Sequence, residues 1–266
     1  MEQWQITPEI AGRNPMLRHA IVQAMDAVRQ GQHLLIEGEG GSGRRLLARS
    51  AWARHGRGES TMLTVDCQMF GAQAVESLLF GEASRRSHIH ESLTVPLSGG
   101  LLLVRAEALP PHTQHRLGAA LRRNAIVEGP LRLQVILVST ALPPSAADLA
   151  LTPGMVRVWI PPLRQRPEDI PTLVEFFLHQ ISPYHKVRCS NELMERLCAY
   201  SWPDNVAELR TVLRRLLMQA HRNFLDVEHL ISLASQDGRG LGLIQGELPA
   251  PHVPPAVNCV DERRLP

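Results

Sequence analysis

Along residues 1–160, apolar positions come in short runs separated by stretches of helical spacing. The runs are Leu34-Leu35-Ile36, TMLTVD (61–66), GGLLLV (99–104), LRLQVILVST (131–140) and MVRVWI (155–160). They are continuous rather than alternating, which predicts parallel strands covered on both faces. Residues 15–30 and Thr113–Arg123 carry apolar positions at helical spacing and predict amphipathic helices. Strands interleaved with helices predict a doubly wound α/β domain, a parallel sheet sandwiched by helices.

The pattern changes after PPLRQRPEDI (161–170). Residues 167–234 show helical spacing and little strand signal. Pro167-Glu168-Asp169 reads as a helix start with early acids, Ser190 as the N-cap of a helix containing Leu193, and Trp202-Pro203 as a further helix start. The expected organisation is an α/β core over 1–163, a small all-helical domain over 164–235, and a flexible tail over 236–266. The tail is expected from its glycine and proline content.

Composition narrows the function classes. With 266 residues, 44% of them hydrophobic, the chain can bury one large core and a smaller attached one. Charged residues make up 20% and the formal net charge is +2, so the balance points to neither nucleic acid nor a membrane surface. Aromatics at 4% suit an aliphatic core better than a base-stacking surface. Cys67, Cys189, Cys198 and Cys259 form no close-spaced pair, which argues against a disulfide framework or a zinc ribbon. The opening MEQWQITPEI lacks a signal-peptide pattern, and no apolar run approaches the ~20 residues that span a bilayer. A soluble cytoplasmic protein is the expectation.

The chemistry-bearing motif follows the first strand. Gly38-Glu39-Gly40-Gly41-Ser42-Gly43-Arg44-Arg45 has the phosphate-loop spacing G-x-x-x-x-G-K-[ST] except at its last two positions. Glycines let the main chain curl so that several N–H groups face one anion, and the start of the following helix adds its dipole. Gly38, Gly40, Gly41, Ser42, Gly43 and Arg44 are therefore the candidate cofactor-binding residues, with ATP or ADP as candidate ligands. Arg44 keeps a positive charge without the compact ammonium of lysine, and Arg45 has no hydroxyl for Mg²⁺. The plain alternative is a glycine turn joining strand to helix with no ligand.

Four stretches, in order, resemble the AAA+ domain of sigma-54-dependent transcription activators. EGEGGSGRRLLARSAWARHGRG (37–58) is similar to the family's GESGTGKE-led segment. VDCQMF (65–70) with ESLLFG (76–81) is similar to V-N-C and E-S-E-L-F-G. IPPLRQRPEDIPTLVEFFL (160–178) is similar to L-P-P-L-R-E-R-x-E-D-I, and YSWPDNVAELRTVLRR (200–215) to W-P-G-N-V-R-E-L. The resemblance covers about residues 9–233 and implies an αβα core with a helical lid, usually assembled as a ring.

The same resemblance marks where hydrolysis would be performed. The family's third strand ends G-G-T-L-F-L-D-E, in which the aspartate holds the Mg²⁺ shell and the glutamate activates water. Arg105 and Ala106 stand there, and neither can do this; Glu107 follows one position on. The family's Thr-Asn sensor is Thr140-Ala141, and the lid arginine of its W-P-G-N-V-R-E-L motif is Ala207. The arginine-finger segment has no counterpart in AADLALTPGM (146–155), with Arg157 reading as a strand residue. The GAFTGA loop that touches the sigma factor has none in EASRRSHIHESLTVPLS (82–98), and the tail is too short for a helix-turn-helix domain.

The expectation is a degenerate regulatory module that does not hydrolyse ATP, disfavours Mg²⁺ and works by binding a protein. That partner would be a competent AAA+ activator subunit or a signalling protein, with direct sigma-54 contact, DNA and membrane disfavoured. Two alternatives stand beside it. One is an altered ATPase in which Glu107 serves as base. The other is a nucleic-acid-binding regulator using Arg85, Arg86, His115, Arg116, Arg122 and Arg123. His88, His90, His112 and His115 read as surface histidines rather than a metal set. Cys67 reads as a packed small residue, and Trp202 as packing rather than binding.

Overall fold

The computed structural model describes residues 12–54, 62–81, 99–124, 133–141, 149, 152–184, 186–220 and 224–237. Several expectations fall outside them: the 82–98 segment with Arg85, Arg86, His88 and His90, half of 146–155, Cys259, and the tail from residue 238.

The apolar runs become the strands β1 (His33–Gly38), β2 (Met62–Asp66), β3 (Gly99–Val104), β4 (Leu133–Ser139) and β5 (Met155–Ile160). They form one parallel sheet in the order β2-β3-β4-β1-β5. Within each continuous run, side chains still alternate between two cores. Leu34, Ile36, Leu102, Val104, Ile136 and Val138 face α1 (Pro15–Arg29) and α2 (Arg44–Arg54). Leu35, Leu101, Leu103, Val135 and Leu137 face α4 (Ala72–Phe80) and α5 (Pro111–Asn124), with the short α3 (Cys67–Phe70) after β2. The middle strands are buried on both sides, as expected of continuous apolar segments. The expectation of full cover fails for β2 and β5, which lie at the sheet edges; in β5, Arg157 and Trp159 point out to solvent.

Register fixes what shares the carboxyl edge. Val104 lies beside both Asp66 and Val138, and Glu37 beside Ser139. The loop after β1, the turn after β3 and the end of β4 therefore emerge together, where parallel α/β sheets place their ligands.

Leu163 and the helices α6 (Ile170–Ile181), α7 (Asn191–Ala199), α8 (Asn205–Gln219) and α9 (Val227–Asp237) enclose a third core around Trp202. The Trp202 indole is fully buried, donates to the carbonyl of Leu197 at 2.8 Å and meets the Tyr200 ring edge-on at 5.0 Å. The tryptophan packs, as read from the sequence. Ser190 caps α7 by accepting from the Leu193 amide at 3.2 Å. The structure corrects three details. The helical part also holds a two-residue parallel pairing of β6 (Arg188–Cys189) with β7 (Phe224–Leu225). Pro167–Asp169 is a 3-10 turn and α6 begins at Ile170. Trp202 and Asn205 adopt left-handed backbone (φ 50° and 53°), which delays α8 to Asn205. In addition, α9 continues to Asp237, into the stretch expected as tail.

Gly100 faces the Trp52 indole. A Cβ there would fall 2.6 Å from the ring, so the strand admits only glycine where α2 lays its largest side chain on the sheet. Gly100→Ala is expected to destabilise the fold by ~1–3 kcal/mol through overpacking, and by less in a Trp52→Phe background; urea unfolding of the single and double variants checks this.

His33, 8% exposed, accepts the Val135 amide on Nδ1 at 3.1 Å, which requires the neutral ring. Burial lowers its pKa from 6.5 to about 4. Between those values the unfolded chain binds more protons than the folded one, so stability falls as pH drops from 6.5 toward 4. The expected loss is about 3 kcal/mol. It should be absent in His33→Asn, whose amide oxygen can accept the same bond; unfolding free energy measured across that pH range checks it.

Candidate functional site

β1 runs into the glycine loop, and α2 begins at Arg44, the last loop position carrying a candidate ligand contact. The loop's outer face is taken up by the helical part. Gly41, at φ +71°, lies so near the start of α8 that a Cβ would sit 2.0 Å from the Asp204 carbonyl and 3.0 Å from the Ala207 methyl. Asn205, fully buried, donates to the Gly40 carbonyl at 2.9 Å and to Glu39 at 3.2 Å, and accepts the Leu163 amide at 2.7 Å. Arg164 grips both Glu39 oxygens, at 2.7 and 2.5 Å. Arg166 donates to the Ser42 carbonyl at 3.0 Å.

Arg166 is itself buried beside Asp169, 3.9 Å away. Burial pulls the Arg166 pKa down, against Asp169 and Glu168, and burial pushes the Asp169 carboxyl up. Asp169 also accepts the amides of Arg13 and Asn14. Asn14 in turn caps α1 through the Leu17 amide and donates to Glu168 at 2.7 Å.

Between the loop, the carboxyl edge of the sheet and the helical part lies a cleft of about 810 Å³. Its charged lining among the described residues is Arg44, Arg45, Arg49, Arg105, Arg166 and Arg210, with no carboxylate among them. One flank is apolar, with Leu17, Ile160, Leu173, Phe177 and Val206; the Arg210 guanidinium sits over the Phe177 ring at 6.0 Å. The Ser42 hydroxyl, Arg44 Nη1 and Arg166 Nε are buried with no hydrogen-bond partner. Unpaired donors of that kind are costly in an interior.

The turn after β3 decides the metal chemistry. Arg105 takes a left-handed conformation (φ 57°) and opens the 3-10 turn Ala106–Ala108. The turn sends its side chain across to Asp66 at the end of β2, with Nε 2.8 Å from Oδ1. Burial alone would raise the Asp66 carboxyl; Arg105 and the amides of Met69 and Gln68 outweigh it and hold the group below the ordinary aspartate value. Ala106 is a buried methyl. Glu107 accepts the Thr140 hydroxyl on Oε1 at 3.0 Å, while its buried Oε2 has no hydrogen-bond partner. Burial lowers the Arg44 pKa, and the charge of Glu107 opposes that. The donor set thus fits phosphate oxygens. It does not fit Mg²⁺: position 105 is a cation, position 106 has no donor, and no group of three or more His, Cys, Asp or Glu among the described residues could hold a metal.

The structure brings Gly41, Ser42, Gly43 and Arg44 to the cleft; Gly38, the last residue of β1, and Gly40 in the loop lie outside its lining. Arg157, read as a strand residue, pairs with Glu37 on the neighbouring strand at 2.7 Å. The basic face expected on α5 is partly consumed. Arg116 binds Glu76 at 2.5 Å and covers the Phe80 ring, and His112 meets Glu76 at 3.2 Å. Cys67 is buried, with its thiol pushed up to about 12 by burial first and by Asp66 and Glu107 next, which suits packing rather than nucleophilic chemistry. Sequence reasoning missed Arg49, Arg164, Arg166, Asn205 and Arg210. Arg164, Arg166 and Asn205 sit inside the two motifs quoted for the resemblance; nothing local marks Arg49 or Arg210.

The family model for the Sigma-54 interaction domain matches residues 10–128, and that for the AAA+ ATPase lid domain matches 164–240. The chain is 28% identical over 230 residues to the transcriptional regulatory protein FlbD of Caulobacter vibrioides, covering 77% of this chain and 50% of the relative. It is 26% identical over 251 residues to ZraR of Escherichia coli, covering 85% and 56%. The chain spans about half the length of these curated relatives. The fold is like that of NtrX from Brucella abortus crystallised with ATP (TM-score 0.65, 22% identity, 88% of this chain and 60% of that one). It is also like RuvB of Thermotoga maritima (TM-score 0.56, 12% identity, 86% and 72%).

Asn205 is the polar link between the two parts. Asn205→Ala would leave the Leu163 amide and Gly40 carbonyl without it, and is expected to lower stability by ~2–4 kcal/mol. Arg164→Ala, at a half-exposed pair, should cost no more than about 1 kcal/mol. Denaturant titration of both variants checks the order.

Proposed function

Because the chain belongs to the sigma-54-dependent activator family of AAA+ domains, we propose that it is a transcription-regulatory module that keeps the nucleotide fold without turning ATP over. The observation that carries this is the Arg105–Asp66 pair. Where the family's pattern has the acid that holds Mg²⁺, a guanidinium is held by the neighbouring strand. Hydrolysis in this fold relies on a metal ion and an oriented water to manage charge on the transferring phosphoryl group. In this cleft, arginines would meet the phosphates, and the position expected to supply the base is the Ala106 methyl.

The chain's own residues would bind and position. The loop amides and the start of α2 would receive the phosphates. Arg166, fixed to the Ser42 carbonyl, ties the loop's shape to the helical part. The output is recognition by a protein partner: a competent AAA+ subunit in a mixed ring, or a signalling protein. The role in transcription is supported by the relatives, which are named as transcriptional regulators.

A second reading has a specific observation behind it. Glu107 keeps a buried oxygen without a hydrogen-bond partner, and its charge is felt at Arg44, so an altered ATPase could use it as base. One assay separates the two. Purified protein with ATP and Mg²⁺ is expected to turn over at least roughly 100-fold more slowly than an AAA+ activator with both acids in place. Turnover near the control rate that disappears in Glu107→Gln would establish the second reading and end the first.

A further inference from the structure

The cleft's charge goes beyond the loss of a metal ligand. Six arginines from four separate segments line one 810 Å³ space, with Arg105 paired to Asp66 and Arg166 beside Asp169, and no carboxylate is among the described residues that line it. Two of the lining residues, Ser42 and Arg166, are at least nine-tenths buried, and each has a side-chain polar atom without a hydrogen-bond partner. Arg45 replaces the hydroxyl and Arg105 the carboxylate of the family's metal positions, so both substitutions add positive charge where a divalent cation would sit. Beside this charged end, Leu17, Ile160, Leu173, Phe177 and Val206 give an apolar flank of a kind that suits a nucleobase.

A free triphosphate carries roughly four negative charges, and chelated Mg²⁺ cancels two of them, which halves its attraction to a site of net positive charge at any dielectric. The ion would also approach a lining of arginines with no carboxylate among the described lining residues to receive it. We infer that the cleft takes the phosphate chain of a nucleotide as the metal-free anion, and that Mg²⁺ competes with the protein for it. The inference deepens the non-hydrolysing reading above and rests on it. It reverses the role of the metal: the ion withdraws the ligand instead of holding it.

The test is calorimetric titration of the full chain with ATP and with inorganic tripolyphosphate, in EDTA and in excess MgCl₂, at matched ionic strength. Binding of both is expected to be ~10-fold or more weaker with MgCl₂. Sulfate should bind far more weakly than either. Arg45→Gln should weaken metal-free binding several-fold with an unchanged melting temperature, since Arg45 is exposed. Arg45→Thr combined with Arg105→Asp should shrink or invert the Mg²⁺ effect. Tighter binding with Mg²⁺, equal binding in both buffers, no binding in either, or sulfate binding as tightly as tripolyphosphate would each overturn the inference. The turnover assay decides the non-hydrolysing reading separately, so the two can fail independently.

Discussion

The carbonyls of Gly40 and Ser42 turn away from the glycine loop's anion-facing side, and two buried side chains of the helical part answer them. Asn205 donates to one and Arg166 to the other, while Arg164 holds Glu39 between them. A loop that aims its amides inward must send carbonyls outward, and buried carbonyls need donors. This requirement holds the helical part against the core. It is also what makes the space between them a cleft rather than an open sheet edge. Gly41 shows how close the approach is, since even one added carbon would strike the Asp204 carbonyl.

Within that frame, the cleft has moved from mixed charge to a single sign. An arginine at position 105 would be an isolated cation at the sheet edge were it not for Asp66, which already caps α3 through the Gln68 and Met69 amides. The left-handed backbone at Arg105 costs of order 1 kcal/mol or more, and the charge-assisted bond to Asp66 offsets it. The substitution is therefore built into the local structure. The same turn presents Glu107 to Thr140, so the remaining acid of this edge is engaged by a hydroxyl.

The sheet was legible because its middle strands are apolar without interruption, and nothing but burial on both faces suits LLI, GGLLLV or LQVILVS. The edges were less so. MVRVWI looks continuous only if Arg157 and Trp159 are overlooked, and their outward direction follows from a strand position that sequence does not state. The β6–β7 pairing could not be read, since two residues have no period. The glycine loop was visible as spacing, but the arginine cleft was not. Arg44, Arg45 and Arg49 share one helix, whereas Arg105, Arg166 and Arg210 are brought to them only by the sheet register and the docking of the helical part. A formal net charge of +2 gives no hint that one face concentrates so much of a single sign.

Asp169 carries a consequence of its own. It begins the helical part, yet it and Glu168 hold the backbone of Arg13 and Asn14 and the Asn14 side chain, at the very head of α1. The first helix of the core is thus fastened at its leading end to the element that closes over the loop. A swing of the helical part would either snap three hydrogen bonds or tow the peptide ahead of α1 with it. Any such swing is therefore coupled, through the 3-10 turn at Pro167–Asp169, to α1 and the sheet face that α1 covers.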